Sequence, residues 1–273
     1  MIVIAVGVPA TELALLKPGT TNWNTKLVPA VALAGGNVEQ WVVSQGEAEA
    51  LSASSYAAYA ADFAATVAGF RDIGGRSDAG VYLRLIGEDT DVTVNSTTTD
   101  RAAGFRALQM TLENPSDDIW VASHPLGIPL VDNIHFTALG HIDICRREGL
   151  TIARRGYGAL AYDGRGPVVT GATRAGAVIT LAVDLNGATG ISGSALTGYT
   201  VSADNFTTAL TISSVNVSGS TIVITLAADP GGPVKVGSYR EASYNNSSIV
   251  IGAYADGTTI PVMPIAAPVT TTS

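Results

Sequence analysis

Short apolar runs alternate with helical stretches over the first 165 residues of the chain. The apolar runs are Ile2–Val6, Val38–Val43, Gly80–Ile86 and Ile119–Ala122, and the helical stretches are Ser55–Phe70, Asp100–Leu112 and Phe136–Arg155. Buried strands that alternate with helices are typical of a parallel sheet that has helices on both faces. The pattern therefore predicts an α/β domain over residues 1–165.

The helical period is absent after Arg165, and strand patterns take its place. Apolar and polar residues alternate along Val178–Leu185, Thr208–Val217 and Thr221–Leu226, and the last two runs meet at Val-Ser-Gly-Ser. A short connection that contains glycine between two such runs predicts a β-hairpin. Because serine, threonine and glycine dominate the rest, we expect an antiparallel β-sandwich over residues 166–267 and a flexible tail over residues 268–273.

Charge and hydropathy exclude several classes of partner. The chain carries 15 Lys and Arg against 23 Asp and Glu, which gives a net charge of −8. Nucleic acids and anionic membranes bind clustered basic residues, so neither is expected as a partner. No run of about 20 apolar residues is present, which argues against membrane insertion. The first six residues are too short for a signal peptide, and the localisation stays open.

The composition favours a folded protein that is held in an assembly. Hydrophobic residues make up 47% of the chain and charged residues only 14%. That is enough apolar material for a core, and the sparse charge suggests a homo- or hetero-oligomer. The single cysteine, Cys145, excludes an intrachain disulfide and lies in an apolar helical pattern, so we expect it to pack in the core. The spacing of His124, His135 and His141 is not that of a metal site, and no cofactor is predicted.

Two short motifs could carry chemistry. Asp132-Asn133-Ile134-His135 precedes a helix, and a carboxylate three residues before an imidazole can orient a general base. Gln45-Gly46-Glu47 follows a predicted strand, at the kind of strand end where α/β sheets bind ligands. A side-chain amide and backbone N–H groups at that place can donate to an oxyanion. Taken singly, the first motif could be a helix cap and the second a helix entry.

Together and in this order, the two motifs resemble the SGNH hydrolase superfamily, and within it the sialate O-acetylesterase-like carbohydrate esterases. Gln45–Glu47 matches the family's Trp-x-Gln-Gly-Glu-x-Asp-Ala segment, with Glu49 where the family often has aspartate, and Asp132 and His135 match its closing Asp-x-x-His. The resemblance implies a flavodoxin-like three-layer domain followed by an accessory β-sandwich. It implies His135 as general base, Asp132 as its orienting carboxylate, and Gln45–Glu47 as oxyanion and substrate residues.

The nucleophilic serine of that family has no counterpart in this sequence. In one alignment Ile2–Val6 is the family's second strand, and the first strand and its serine turn are absent. In the other alignment Ile2–Val6 is the first strand, and Pro9 stands in the nucleophile's place with neither a hydroxyl nor a backbone N–H. The first alignment removes the central strand of the sheet, so another chain would have to supply that strand or the sheet would be rebuilt.

Three further residues are candidates for the site. Ser44 at the end of the second apolar run and Ser123 after the fourth are candidate substitute nucleophiles. Trp23 lies in a predicted loop and is the best candidate for stacking on a sugar. Trp41 and Trp120 lie in predicted strands, where packing in the core is the simpler role.

Two hypotheses about function follow. The first is a non-catalytic or degenerate carbohydrate-esterase-like module that recognises surface polysaccharide, as part of a spike or fibre of a phage-like particle. The second is a serine-type carbohydrate O-acetylesterase whose nucleophile comes from a partner chain or from a missing N-terminal segment. Both predict a polysaccharide or an acetylated glycan as the ligand, and the absent serine turn favours the first.

Overall fold

A parallel sheet of three strands lies at the centre of the first half of the chain. The computed structural model describes residues 5–8, 11–50, 53–86, 99–129, 131, 136–238, 248–265 and 268–272. The sheet consists of β1 (Gln40–Val43), β2 (Gly80–Arg84) and β3 (Ile119–Ser123), in that order. Both neighbouring pairs are parallel, so three of the predicted apolar runs form the predicted kind of sheet.

Helices cover both faces of this sheet. The described α-helices are α1 (Val28–Leu33), α2 (Glu47–Ala50), α3 (Ala53–Ile73), α4 (Thr99–Thr111) and α5 (Ala138–Arg155). On one face, Phe63 and Phe70 of α3 share a core with Trp41 and Val43 of β1. On the other face α5 packs along β3 and β2, and the hydroxyl of Thr151 donates to the carbonyl of Ala122 at 2.6 Å. The three predicted helical stretches are confirmed.

The first predicted strand, Ile2–Val6, is not confirmed. Ala5 and Val6 are exposed and lie outside any strand, and residues 2–4 fall outside the described part of the chain. The segment that follows forms helical turns instead, and it places Leu13, Trp23 and Val31 in the same core as α3. Within the described ranges, β1 therefore pairs with β2 and with no strand on its other edge.

The second half of the chain is built from strands. They are β4 (Val168–Ala175), β5 (Val178–Asp184), β6 (Gly190–Ser192), β7 (Tyr199–Ser202), β8 (Ile212–Ser218), β9 (Thr221–Leu226), β10 (Lys235–Ser238), β11 (Ile251–Ala253), β12 (Thr259–Pro261) and β13 (Val269–Thr270). Antiparallel pairing produces a four-stranded sheet, β4-β5-β9-β8, and two three-stranded sheets, β13-β10-β7 and β12-β11-β6. The predicted hairpin is confirmed, since Ser218 pairs with Thr221 across Gly219, whose φ is 59°.

The predicted flexible tail is wrong for the residues that the structure describes. Val269 pairs with Val236 in β13, and the backbone N–H of Thr271 donates to the carbonyl of Val234 at 2.9 Å. Thr272 donates to the carbonyl of Ala172 at 3.0 Å. The end of the chain is therefore part of the β-rich half.

A tight segment of five residues, 163–167, joins the two halves, and we call it the junction segment. The carboxylate of Asp163 is fully buried and accepts hydrogen bonds from Arg155 of α5 and from Asn186 after β5. Gly164 lies against the backbone of α5 at Arg147. The coarse prediction, a parallel sheet with helices on both faces followed by a β-rich part, agrees with this architecture. The exact boundary at residue 165 stays a prediction.

Candidate functional site

The predicted Gln45–Glu47 motif lies at the carboxyl ends of the parallel strands. Gln109 of α4, which is fully buried, links the ends of β1 and β2 by hydrogen bonds. Its Nε2 donates to the carbonyl oxygens of Gln45 at 3.1 Å and Arg84 at 3.3 Å, and its Oε1 accepts the N–H of Ile86 at 2.9 Å. Sequence reasoning missed Gln109, because a single glutamine inside a helical pattern carries no signal of its contacts.

Gly46 is required by the turn that follows β1. Its φ is 141°, and a Cβ at this position would lie 2.4 Å from Cε1 of Phe105 and 2.8 Å from Cγ2 of Ile86. The backbone N–H of Ala50 donates to the Gly46 carbonyl at 2.9 Å, which starts α2 at once after the turn. A side chain would push β1 away from α4, so the glycine fixes the close approach of these elements.

The side-chain amide of Gln45 is engaged within the protein. Its Nε2 donates to the carbonyl oxygen of Thr11 and, at 3.3 Å, to Oε2 of Glu49. Glu49 is buried and also accepts the backbone N–H of Leu13, while burial raises the pKa of its carboxyl group. Because these two acceptors account for both N–H groups of the amide, Gln45 in this arrangement holds the N-terminal segment rather than a substrate oxyanion.

A buried ion pair occupies the strand ends beside this motif. Arg84 donates from Nε and Nη2 to the two oxygens of Glu148 on α5, at 2.6 and 3.0 Å. Burial raises the pKa of Glu47, and this effect exceeds the opposite effect of the positive charge on the nearby Arg84. Two carboxylates thus lie beside one guanidinium at the strand ends, which is where open α/β sheets bind their ligands.

The two serines proposed as substitute nucleophiles lie in different surroundings. Ser44 is exposed directly after β1. Ser123 is fully buried, and its hydroxyl donates to Oε1 of Glu148 at 3.3 Å. A serine that is buried and donates its proton to a carboxylate cannot reach the carbonyl carbon of an ester. The structure therefore contradicts Ser123 as a nucleophile.

Trp23 does not lie in a loop, and the structure contradicts it as a sugar-stacking residue. It opens a π-helical turn, Trp23–Leu27, and only 4% of it is exposed. Its indole stacks on Phe70 with ring centroids 5.7 Å apart. Sugar stacking needs an open aromatic face, and the face of Trp23 is used for the core.

Asp132 and His135 lie outside the described residues, so their predicted roles stay predictions. The described residues on either side meet, because the backbone N–H of Thr137 donates to the carbonyl of Pro129 at 3.0 Å. Thr137 also caps α5, with its Oγ1 accepting the N–H of Gly140 at 2.9 Å. The described residues on either side of this segment therefore lie beyond the carboxyl end of β3, which β2 separates from β1 and the Gln45–Glu47 turn.

The two described histidines do not activate a serine. Nε2 of His124 bonds the carbonyl of Arg165 at 3.1 Å, and the ring of His141 meets Phe136 edge to face with centroids 5.4 Å apart. Within the part of the chain that the structure describes, no cluster of His, Cys, Asp or Glu side chains suited to a metal ion is found. No helix among the described residues is both long and apolar enough to cross a bilayer.

His124 should make the protein sensitive to mild acid. Burial, and after it the charge of Arg147, lowers the pKa of this fully buried ring to about 3. The unfolded chain binds the proton near pH 6.5 and the folded chain does not, so stability is lost as pH falls below about 6.5. We expect the free energy of unfolding to fall about 2 kcal/mol further between pH 7 and pH 5 in the parent than in His124→Gln.

Urea unfolding of both proteins at pH 7, 6 and 5 measures this difference. The comparison matters because half-buried Glu47 and buried Glu49 act in the opposite direction: the pKa of each is raised, so their protonation stabilises the folded state as pH falls. Subtracting the variant from the parent removes these carboxylate effects. Equal pH dependence in both proteins would mean that His124 has the same pKa in the folded and the unfolded chain, which would contradict this expectation.

Comparison with known proteins gives a structural neighbour and no sequence family. No protein-family model matches the chain, and no curated protein matches it. Among solved structures, the carbohydrate acetylesterase XAC1771 from Xanthomonas citri matches with a TM-score of 0.65 and 19% sequence identity. The match covers 93% of this chain and 56% of XAC1771, so the chain spans about half of that protein.

A second solved structure, the N-terminal part of the bacterial S-layer protein SbsC, also aligns with the chain. The TM-score is 0.27 at 13% identity, over 67% of this chain and 35% of SbsC. A TM-score this low carries no argument about fold. The likeness to XAC1771 supports a carbohydrate-esterase-like fold, and at 19% identity it supports the fold alone.

Proposed function

We propose that the chain is an esterase-like module that binds O-acetylated carbohydrate and does not hydrolyse it unaided. The observation that carries the proposal is the Arg84–Glu148 ion pair at the strand ends, with the buried Ser123 hydroxyl bonded to the same carboxylate. Arg84 and the half-buried Glu47 beside it are the charged groups that can hydrogen-bond sugar hydroxyls at the strand ends, whereas the buried Ser123 hydroxyl reaches neither a sugar nor an ester. The fold it shares with a carbohydrate acetylesterase supports the class of ligand.

We also propose that the first half is a flavodoxin-like three-layer SGNH domain and that the second half is an accessory β-sandwich. A flavodoxin-like three-layer SGNH domain would place helices on both faces of β1-β2-β3, with α5 opposite α3 and α4. The three antiparallel sheets of the second half would serve as the accessory β-sandwich, with residues from β5, β7, β9 and β10 in one shared core. The position in a spike or fibre of a phage-like particle stays a prediction from the family resemblance.

Binding without turnover is the expected result with an O-acetylated polysaccharide. Isothermal titration with the acetylated polymer, and with the same polymer after mild alkaline de-acetylation, measures whether the acetyl groups are recognised. Acetate release over the same period measures hydrolysis. We expect heat of binding with the acetylated polymer, weaker binding after de-acetylation, and no acetate above the level of a protein-free control.

Matched variants assign the result to the strand ends. Glu47→Gln should weaken binding, since a neutral amide replaces the carboxylate beside Arg84, whereas Glu39→Gln at the opposite end of β1 should leave binding unchanged. Absence of binding by the parent to either polymer would overturn the proposal. Acetate release that disappears in His135→Ala would instead establish the second candidate function, a serine-type O-acetylesterase.

The outer edge of β1 favours the second candidate function, the serine-type O-acetylesterase. Among the described strands the outer edge of β1 has no partner, and an added strand there could bring a nucleophile to the carboxyl ends. His135 and Asp132 would then act as general base and orienting carboxylate. The acetate assay should therefore be run with the isolated chain and with any polypeptide that co-purifies with it.

A further inference from the structure

The segment before the first helical turn of the chain crosses the carboxyl end of β1. The carbonyl oxygen of Thr11 accepts a hydrogen bond from Nε2 of Gln45, and the backbone N–H of Leu13 donates to Oε1 of Glu49. The same Gln45 amide donates to Oε2 of Glu49 at 3.3 Å. One amide and one carboxylate, four residues apart in the sequence, thus hold three successive residues, Thr11–Leu13, which we call the strap.

The two ends of the strap are held differently. Leu13 is 2% exposed and packs in the core that α3 shares with β1. Thr11 is half-buried, and residues 5–7 before it are exposed and lie in no helix or strand. Separation of Thr11 from Gln45 would therefore leave the contacts of Leu13 in the core intact.

The residue that holds Thr11 belongs to the site at the strand ends. The carbonyl oxygen of Gln45 accepts hydrogen bonds from the hydroxyl of Tyr59 at 3.0 Å and from Nε2 of Gln109 at 3.1 Å. The same Nε2 of Gln109 donates to the carbonyl of Arg84 at 3.3 Å. The backbone of Gln45 is thus fixed at the end of β1 beside the end of β2, whereas its side chain is engaged by the strap.

The carbonyl of Thr11 is the same kind of hydrogen-bond acceptor as the carbonyl of an acetyl ester. The side-chain amide of Gln45 has two N–H groups, and in the closed strap it donates to Thr11 and to Glu49. This amide can bind an acetyl carbonyl only after Thr11 has left it. The apparent affinity for such a ligand is then reduced by the fraction of molecules in which the strap is open.

We propose that the strap is an autoinhibitory contact, in which the carbonyl of Thr11 occupies the Gln45 amide that would otherwise bind the acetyl carbonyl of the ligand. Opening of the strap at Thr11 makes this donor available, while Leu13 keeps the segment attached to the core. This role rests on the proposed function, because the ligand and the site are the same. Any change that shifts the strap between its closed and open forms changes the affinity for acetylated carbohydrate.

Glu12, in the middle of the strap, allows the closed form to be strengthened or weakened at one position. Its φ is −72° and its ψ is 151°, and within the described ranges its backbone N–H has no acceptor. Proline has a φ near −65° and suits this conformation, so Glu12→Pro should favour the closed strap. Glycine gains more conformational freedom when the strap opens, so Glu12→Gly should favour the open strap. Glu12→Gln is the reference, because all three variants lack the charge of Glu12.

Isothermal titration of the three full-length variants with the O-acetylated polymer measures the effect of the strap. We expect Glu12→Gly to bind most tightly and Glu12→Pro most weakly, with dissociation constants that differ about 4-fold or more. In a Gln45→Met background the Gly and Pro variants should bind equally, because methionine has a similar length and no N–H group to donate to either carbonyl. Far-UV circular dichroism verifies that each variant is folded at the concentrations used.

The outcomes separate this role of the strap from the proposed function. Equal affinities of the three variants for the polymer would overturn the autoinhibitory contact and leave the proposed function intact. A difference between the Gly and Pro variants that persists in the Gln45→Met background would also overturn it, since the strap would then act through another group. Absence of binding by the parent and by every variant would overturn the proposed function, and the autoinhibitory contact with it.

Discussion

Gly164→Ala should destabilise the folded protein by about 3 kcal/mol or more, or prevent folding altogether. A Cβ at this position would lie 1.8 Å from the carbonyl oxygen of Arg147 and 2.4 Å from its carbonyl carbon. These are backbone atoms in the middle of α5, so no change of rotamer relieves the overlap. The junction segment or the helix itself has to move.

A movement of either element breaks further contacts. The N–H of Gly164 donates to Oγ1 of Thr151 at 3.0 Å, and the same hydroxyl donates to the carbonyl of Ala122 in β3. Displacing Gly164 thus disturbs a chain of hydrogen bonds that joins the junction segment, α5 and the sheet. Buried polar groups left without partners add about 1–3 kcal/mol each to the cost.

Gly149→Ala is the matched control on the same helix. No atom lies within 4 Å of a Cβ at Gly149, which is exposed on α5. Alanine there should stabilise the protein by about 0.5–1 kcal/mol, because glycine is a poor residue for a helix interior. Urea unfolding followed by far-UV circular dichroism measures both variants, and a Gly164→Ala midpoint equal to that of the parent would contradict the close approach.

The parts of the fold that sequence predicts are those fixed by local pattern. The apolar runs that became β2 and β3 are buried on their α3 face, and the alternation in Thr221–Leu226 matches alternate burial in β9. The turn at Gly219 is also local, since a positive φ between two alternating runs produces a hairpin. In each case the decisive interaction lies within a few residues of the chain.

The parts that sequence did not predict depend on distant partners. Trp23 is buried because Phe70 on α3 stacks on it, and nothing near Trp23 signals this contact. Cys145 belongs to an apolar helical pattern, yet it is exposed because no described element packs on that side of α5. Val269–Thr270 has the composition of a flexible end, but β10 provides a strand for it to pair with.

The sequence predicted where one motif lies in the sheet, but not which side chains surround it. The sequence motif Gln45–Glu47 correctly marks the carboxyl end of a parallel strand. The partners that decide its chemistry, Arg84, Gln109 and Glu148, come from three other elements and belong to no recognisable motif. Side chains that act through long-range hydrogen bonds leave no periodic signal, so the ion pair at the strand ends could only be found in the structure.

Asp163→Asn should cost about 3–5 kcal/mol of stability, the range for breaking a buried ion pair by removing one partner. The carboxylate is fully buried and accepts from Nη2 of Arg155 at 2.7 Å and from Nη2 of Arg165 at 3.1 Å. Asn186 donates to its other oxygen at 2.6 Å. An amide at position 163 would present N–H groups to these donors and leave the two guanidinium charges without their shared carboxylate.

The stability lost in Asp163→Asn should come from a weakened contact between the α/β half and the β-rich half. Burial alone would raise the pKa of Asp163, but the charge of Arg165 and the hydrogen bonds from Arg165, Asn186 and Arg155 hold it below its ordinary value. The carboxylate therefore stabilises the fold at neutral pH, and this stabilisation is lost only as pH falls below about 3.8. At pH 7 the full effect of the substitution should be seen.

Asp229→Asn is the control for the chemical change alone. Asp229 pairs with Arg174 at 2.7 Å on the surface, with 54% of its side chain exposed. Removal of an exposed ion pair should change the free energy of unfolding by about 1 kcal/mol at most. Equal effects of the two substitutions in urea unfolding at pH 7 would mean that Asp163 is solvated. A large effect of Asp163→Asn alone would identify the junction segment as the element through which the α/β half and the β-rich half stabilise each other.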